Sequence, residues 1–338
     1  MAGKEIVDRE IADKQIAEAL LQILQLIEGD QFGEVSVFLQ NFMTQHADWV
    51  DARLQAEIQL VMKQMECRIA LKDFAYLRSI ALVYKYCEMN YGQNGHMDGD
   101  QPGNLLPERG TIWWCWLQGL EQAPDIVKCC YRSLEKLGKK VVVLDETNLR
   151  EYVTLPEYIT EKYQKGAICK AHYTDLVRLE ILTQRGGTWI DATTWISGTE
   201  RILPLLDGED LFMFRAGNVS EYILLDNWFI HARRRSYILE ATRAMLHAYW
   251  EKEDDAKHYF IFHFLMTLAC GYFPEEYDRI PLYSNEPCHV LQYELQRPFA
   301  EKRWKQILDM SDVHKLTYKL EDGQRDGTFW EHLLAQGC

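Results

Sequence analysis

The residues of this sequence best placed to do chemistry lie in KAHYTDLVRLEILTQRGGTWIDATTWI, positions 170–196. Its first half carries Leu176, Val177, Leu179, Ile181 and Leu182 on a predicted helix. Asp175 and Arg178 stand among them three residues apart, on one side. Gly186-Gly187 stops that helix and a strand-like run follows. Counting back from Gly186, Arg178 lies about 12 Å and Asp175 about 16 Å down the helix at 1.5 Å per residue. A strand doubling back from Gly187 reaches Asp191 after about 13 Å at 3.3 Å per residue. Asp191 therefore draws level with both. Strand alternation predicts Trp189, Asp191, Thr193 and Trp195 on one face, and Ile190, Ala192 and Ile196 on the other. A carboxylate and a hydroxyl aimed together, completed by diphosphate oxygens, make a hard-oxygen shell suited to Mg²⁺ or Mn²⁺. An Asp–Arg pair on a helix is more often a structural ion pair; the convergence with Asp191 favours a site.

These residues need elements to hold them. The predicted order after Gly110 is strand Thr111–Gln118, a helix over 123–137 closed by Gly138, strand 140–145, helix Lys170–Gln184 and strand Thr188–Ile196. Strand-like LFMF (211–214), helices near 236–250 and 257–270, and a final strand at 314–320 complete it. Strand–helix alternation with short connections predicts an α/β fold with a mixed sheet flanked by helices. In such folds ligands bind where strand C-terminal ends meet helix N-termini, and the helix dipole there favours phosphate.

The first 92 residues read as a separate helical region. The series Ile16, Leu20, Ile23, Leu24, Ile27, then Leu54, Ile58, Val61, Met62, Met65, then Leu71, Phe74, Leu77, Ala81, Tyr84 recur at helical steps. Residues 93–110, rich in Gly and Pro, read as a linker, leaving 111–338 as the second domain. The amphipathic N-terminal helices suit acceptor docking, a homo-oligomer or peripheral membrane association alike.

Composition narrows the partners. The chain has 338 residues, 47% of them apolar, and a formal charge of −14, so it builds a real core and offers no field for nonspecific nucleic-acid binding. The start MAGKEIVDRE has no apolar signal core, and His258–Phe273 is too short to span a bilayer. Nine cysteines without a Cys-x-x-Cys pair argue for reduced thiols in a cytoplasmic protein rather than a disulfide framework.

The string H-x-x-D-x-x-R-L-x-x-L-x-x-x-GG-x-W-x-D, from His172 to Asp191, resembles the signature of capsular polysaccharide synthesis proteins and glycosyltransferase family 32. It is similar too to the sugar-binding core of the large clostridial toxins. IWWCWLQG (112–119), DNWFIHA (226–232), YFIFHFL (259–265) and HKLTYK (314–319) support the resemblance in the family's order. It implies a GT-A-type nucleotide-sugar fold preceded by the N-terminal helical region, and a metal-dependent, configuration-retaining hexosyl transfer. The donor implied is a nucleoside diphosphate sugar, UDP-sugar by default, and the acceptor a capsule or surface glycan. The cell compartment implied is the cytoplasm, extending to the inner face of the membrane.

By the same resemblance Trp116 stacks on the base, and Gln118, His172, Trp189 and Asn227 join the donor site. Asp175 and Arg178 hold sugar hydroxyls, with Arg178 near the phosphates. Asp191, Thr193 and His314 hold the metal, Lys315 the diphosphate, and His263 faces the acceptor. Many relatives carry Asp-x-Asp where this chain has Asp191-Ala192-Thr193, so a neutral hydroxyl replaces a carboxylate. Trp113 and Trp114 read as core aromatics. Two other readings use the same residues: a toxin-like transferase acting on a protein, and a non-catalytic nucleotide-sugar-binding scaffold.

Overall fold

The structure, a computed structural model, describes residues 22, 32–45, 105–216, 223–256, 259–320 and 325–336. The chain divides into two compact units, Met1–Ser79 and Ile80–Cys338. Of the first, the described part is essentially one helix, α1 (Phe32–Gln45), with Val35 and Leu39 buried. The three periodic series expected in the N-terminal region lie outside the described residues.

The second unit is built on a five-stranded sheet of order β2-β1-β3-β6-β5. Its strands are β1 (Thr111–Cys115), β2 (Lys140–Leu144), β3 (Gly187–Ile190), β5 (Leu211–Arg215) and β6 (Leu225–Ala232). β1 runs parallel to both β2 and β3, with Trp113 opposite Val142 and Trp189. β6 lies antiparallel to β3 and to β5. This is the mixed α/β sheet that the strand–helix alternation predicts. Every β1 residue is buried, so TIWWC reads as a continuous apolar run, as a central parallel strand should. Trp113 and Trp114 are fully buried and belong to the core.

After β1 the chain crosses through α2 (Asp125–Ser133) to β2 on one side. It then returns through α3 (Leu149–Tyr152), α4 (Glu157–Gln164) and α5 (Lys170–Gln184) to β3 on the other side of β1. The chain direction out of the sheet thus switches between β1 and β3, which opens a crevice beyond their C-terminal ends. Beyond α6 (Ile202–Gly208), α7 (Tyr237–Lys252) and α8 (Ile261–Tyr272) pack against these.

Gly186 and Gly187 make the reversal from α5 into β3 at φ 73° and 98°. A Cβ on Gly187 would press onto the Thr111 carbonyl oxygen and stand 2.7 Å from Trp113 Nε1. No other residue type fits there.

The expectations for the strands and the cysteines are corrected. The predicted strand Thr188–Ile196 is two strands in two sheets. Asp191 N–H still donates to the Trp228 carbonyl at 2.8 Å, but Thr194 N–H donates back to the Asp191 carbonyl at 2.9 Å and closes a turn. The chain re-emerges as β4 (Thr194–Ile196), which pairs antiparallel with β7 (Val313–Lys315) in a separate two-stranded sheet. The final strand is accordingly three residues, not seven. Just before β1, Leu106 N–H donates to the Arg233 carbonyl and Glu108 N–H to the Arg185 carbonyl. Of the cysteines, Cys115, Cys130, Cys169, Cys270 and Cys288 are free thiols, but Cys129 is disulfide-bonded. An odd count argues against a framework and says nothing against a single bridge.

Candidate functional site

The crevice beyond β1 and β3 is a cavity of about 430 Å³. β1 contributes Cys115 and, just past its end, Trp116 and Gln118; β3 contributes Trp189, and the turn after it Asp191, Ala192 and Thr193. The first turns of α5 supply Lys170, His172, Asp175 and Arg178, and the start of β6 supplies Asp226, Asn227 and Trp228. α8 brings His263, and the C-terminal segment brings Lys315 and Tyr318. All of the sequence-predicted residues meet here except His314.

At its centre is a buried ion network. α5 is buried on nearly every side, so its polar residues need internal partners. Arg178, 3% exposed, spans two carboxylates: Nη1 donates to Asp175 Oδ1 and Nη2 to Asp191 Oδ1, each at 2.7 Å. Its guanidinium lies 4.9 Å from the Trp189 ring centroid and 5.7 Å from that of Phe262. Trp189 Nε1 donates to the same Asp191 oxygen at 2.9 Å. Lys315 Nζ donates to Asp191 Oδ2 at 2.7 Å and to Thr193 Oγ1 at 2.9 Å. Burial works to raise the pKa of Asp191, but the Lys315 and Arg178 charges outweigh it and hold the carboxyl below its ordinary value.

Asp175 Oδ1 also accepts from Asn227 Nδ2 at 3.0 Å. Its other oxygen lies 3.7 Å from His172 Nδ1 and takes no hydrogen bond from the described residues, so it can accept from a ligand hydroxyl. Asp226 Oδ2 accepts from Trp228 Nε1 at 2.8 Å and from Asn285 Nδ2 at 2.6 Å, and its Oδ1 takes no hydrogen bond from the described residues.

Trp116 is half-buried and meets Tyr318 edge-to-face at 5.4 Å, leaving an aromatic face at the cavity rim. His263 is held below its ordinary pKa by burial, so it is neutral at pH 7. Four buried nitrogens of cavity-lining residues, Trp116 Nε1, His172 Nδ1, Arg178 Nε and His263 Nδ1, have no partner among the described residues. Unpartnered buried polar groups are costly, so these four nitrogens call for a partner such as water or a polar ligand.

His314 is corrected. It precedes Lys315 on β7, so alternation turns it away from the cavity. It is fully buried against Trp195 at 5.3 Å, with Nε2 on Ser197 Oγ at 2.9 Å, and burial pushes its pKa down to about 3. Of the three side chains expected to flank a divalent cation, Asp191 and Thr193 therefore line the cavity and His314 does not. Both Asp191 oxygens are taken by cationic donors, and no group of three His, Cys, Asp or Glu among the described residues could hold a metal.

Lys170, Asp226, Tyr259, His289 and Tyr318 line the cavity without having been singled out from the sequence. Asp226, Tyr259 and Tyr318 lie inside segments that carry the family resemblance, which was the available signal; nothing marked Lys170 or His289. Another cleft, of about 480 Å³, holds Glu180, Arg243 and His247, with Glu180 3.2 Å from Arg243 Nη1 and 3.0 Å from His247 Nε2.

Fold and site together define an α/β protein with a cavity at its topological switch point that is lined by Lys170, Arg178 and Lys315 together with Asp175, Asp191 and Asp226. The chain matches the family described as capsular polysaccharide synthesis protein over residues 67–333, and it belongs to that family. No curated protein matches it. Two solved structures are similar at low identity. "PaToxG Glycosyltransferase" is 13% identical with a TM-score of 0.34, covering 60% of this chain and 77% of its own. A glycosyltransferase involved in the glycosylation of the major capsid of PBCV-1 is 11% identical with a TM-score of 0.32, covering 66% and 97%.

Proposed function

We propose that this protein is a configuration-retaining glycosyltransferase. It moves a hexose from a nucleoside diphosphate sugar, a UDP-sugar by default, to a capsular or surface glycan. The observation that carries this reading is the convergence of Arg178, Lys315 and the unpartnered nitrogens on one cavity at the switch point. Family membership supports the capsular setting. A cytoplasmic location, at the inner face of the membrane, fits such a donor and acceptor.

The chemistry assigned is substitution at the sugar C1. The C1–O bond to the diphosphate breaks and its electron pair leaves with the phosphate. The acceptor oxygen forms the new C1–O bond, and its proton passes to a diphosphate oxygen. Lys315 and Arg178 counter the charge that grows on the leaving group. The open oxygen of Asp175, with Asn227 and His172 beside it, orients the sugar, which contributes several kcal/mol. Trp116 stacks on the base. The cavity carboxylates Asp175, Asp191 and Asp226 are each tied to a donor, which suits front-face attack assisted by the departing phosphate. His263, on the α8 wall, is assigned to the acceptor side.

The test is transfer of labelled sugar from a panel of nucleotide sugars to capsular oligosaccharide, with the product's anomeric configuration read by NMR. Hydrolysis or transfer from at least one donor, with retention, is expected. No turnover with any donor would overturn the reading, and an inverted product would overturn its stereochemistry.

A further inference from the structure

The ammonium of Lys315 sits between the Asp191 carboxylate and the Thr193 hydroxyl, the two side chains expected to flank a divalent cation. It is not a wandering surface lysine. β4 and β7 pair Thr194 with Lys315, and Leu316 N–H donates to the Thr193 carbonyl at 2.7 Å, so the backbone fixes Lys315 against the turn. For a metal to reach Asp191 Oδ2, Lys315 would have to share or surrender that oxygen. The other oxygen is filled by Arg178 and Trp189. Asp175 and Asp226 each keep only one oxygen clear of hydrogen bonds from the described residues, Thr193 supplies only a neutral oxygen, and no group of three His, Cys, Asp or Glu among the described residues is placed to hold a metal.

Asp175 and Asp191 balance Arg178 and Lys315. Lys170, on the same cavity wall at the start of α5, has no acidic partner among the described residues and offsets Asp226, whose partners Trp228 and Asn285 are neutral, so the cavity lining carries as many cations as carboxylates without a metal. Two of the three N–H donors of Lys315 are used, which leaves one for an incoming oxygen.

We propose that Lys315 takes the place of the divalent cation, so that this protein binds and discharges a nucleoside diphosphate without a metal ion. Asp191 then holds the ammonium in position rather than coordinating a metal. The proposal rests on the donor-binding role assigned above.

Calorimetry on the full chain, stripped with EDTA, measures binding of UDP, GDP, ADP, CDP and TDP, with and without millimolar Mn²⁺. At least one nucleotide is expected to bind in EDTA with a Kd within threefold of its value in Mn²⁺. Lys315→Met is expected to weaken that diphosphate more than tenfold while leaving the parent nucleoside within twofold, and Lys315→Arg to restore most of the loss. A nucleotide that binds in Mn²⁺ but at least tenfold more weakly in EDTA overturns the metal-free proposal and leaves the donor site standing. Failure of every nucleotide in both conditions overturns the donor site itself. The EDTA comparison on the unaltered protein decides the matter even where Lys315→Met fails to fold.

Discussion

One guanidinium touching two carboxylates sets the character of this site. Arg178 bridges Asp175 and Asp191, and its planar fork does so with two separate nitrogens. Arg178→Lys supplies a single ammonium and cannot keep both contacts. We expect it to lower transfer at least tenfold and to cost about 3 kcal/mol or more of stability, as breaking a buried pair does. Matched activity assays and urea melts check both. Asp191→Asn keeps the shape but removes the charge that Lys315 and Arg178 share; turnover is expected to fall more than tenfold, and unchanged turnover would show that this carboxylate is not central. These residues were legible because helix and strand rises alone bring Asp175, Arg178 and Asp191 level. His314 was misplaced because adjacent strand residues face opposite ways, and a motif two letters long does not say which one faces the ligand.

Among the elements, the joint between α5 and β3 bears most of the constraint. Gly187 has φ 98° and no room for a side chain against the Thr111 carbonyl. Gly187→Ala is expected to cost about 2–4 kcal/mol, from backbone strain and overpacking together, measured by a lowered urea midpoint. Gly138→Ala, with φ 60° but nothing near the added carbon, is expected to cost less, about 1 kcal/mol. Helix α5 was legible to its last residue, since Gly-Gly punctuates it and its apolar residues recur at helical steps. The break between β3 and β4 was not: TWIDATTWI keeps a strand-like alternation, and the turn at Asp191 is dictated by partners on β6 and β7, distant in sequence. Tertiary pairing overrode local pattern. Asp191 and Thr193 still meet the same ammonium, so the grouping survives although alternation is not its cause.

Across the whole molecule, buried histidines tie stability to pH. Burial holds His231 at about 4 and His314 at about 3, well below the ordinary 6.5. Below pH 6.5 the unfolded chain takes up protons that the folded one refuses, so stability is full above that value and falls as pH drops toward 4 and 3. Asp191 adds a loss at still lower pH, as it falls through the depressed value of that carboxyl. Each histidine is expected to contribute roughly 2 kcal/mol of difference between pH 7.5 and pH 5. Urea melts at the two values measure it, and His314→Phe should shrink the gap even if it lowers stability at pH 7.5. Fold class was readable at this scale from strand–helix alternation, whereas the second, two-stranded sheet depends on a pairing across more than a hundred residues that no local signal announces. That pairing has a consequence for synthesis. A ribosome halting after Asp309 would release a polypeptide with all five strands of the main sheet but neither β7 nor Lys315. The architecture would be largely written while the pocket still lacked a wall, so a late nonsense mutation would silence the protein as thoroughly as an early one.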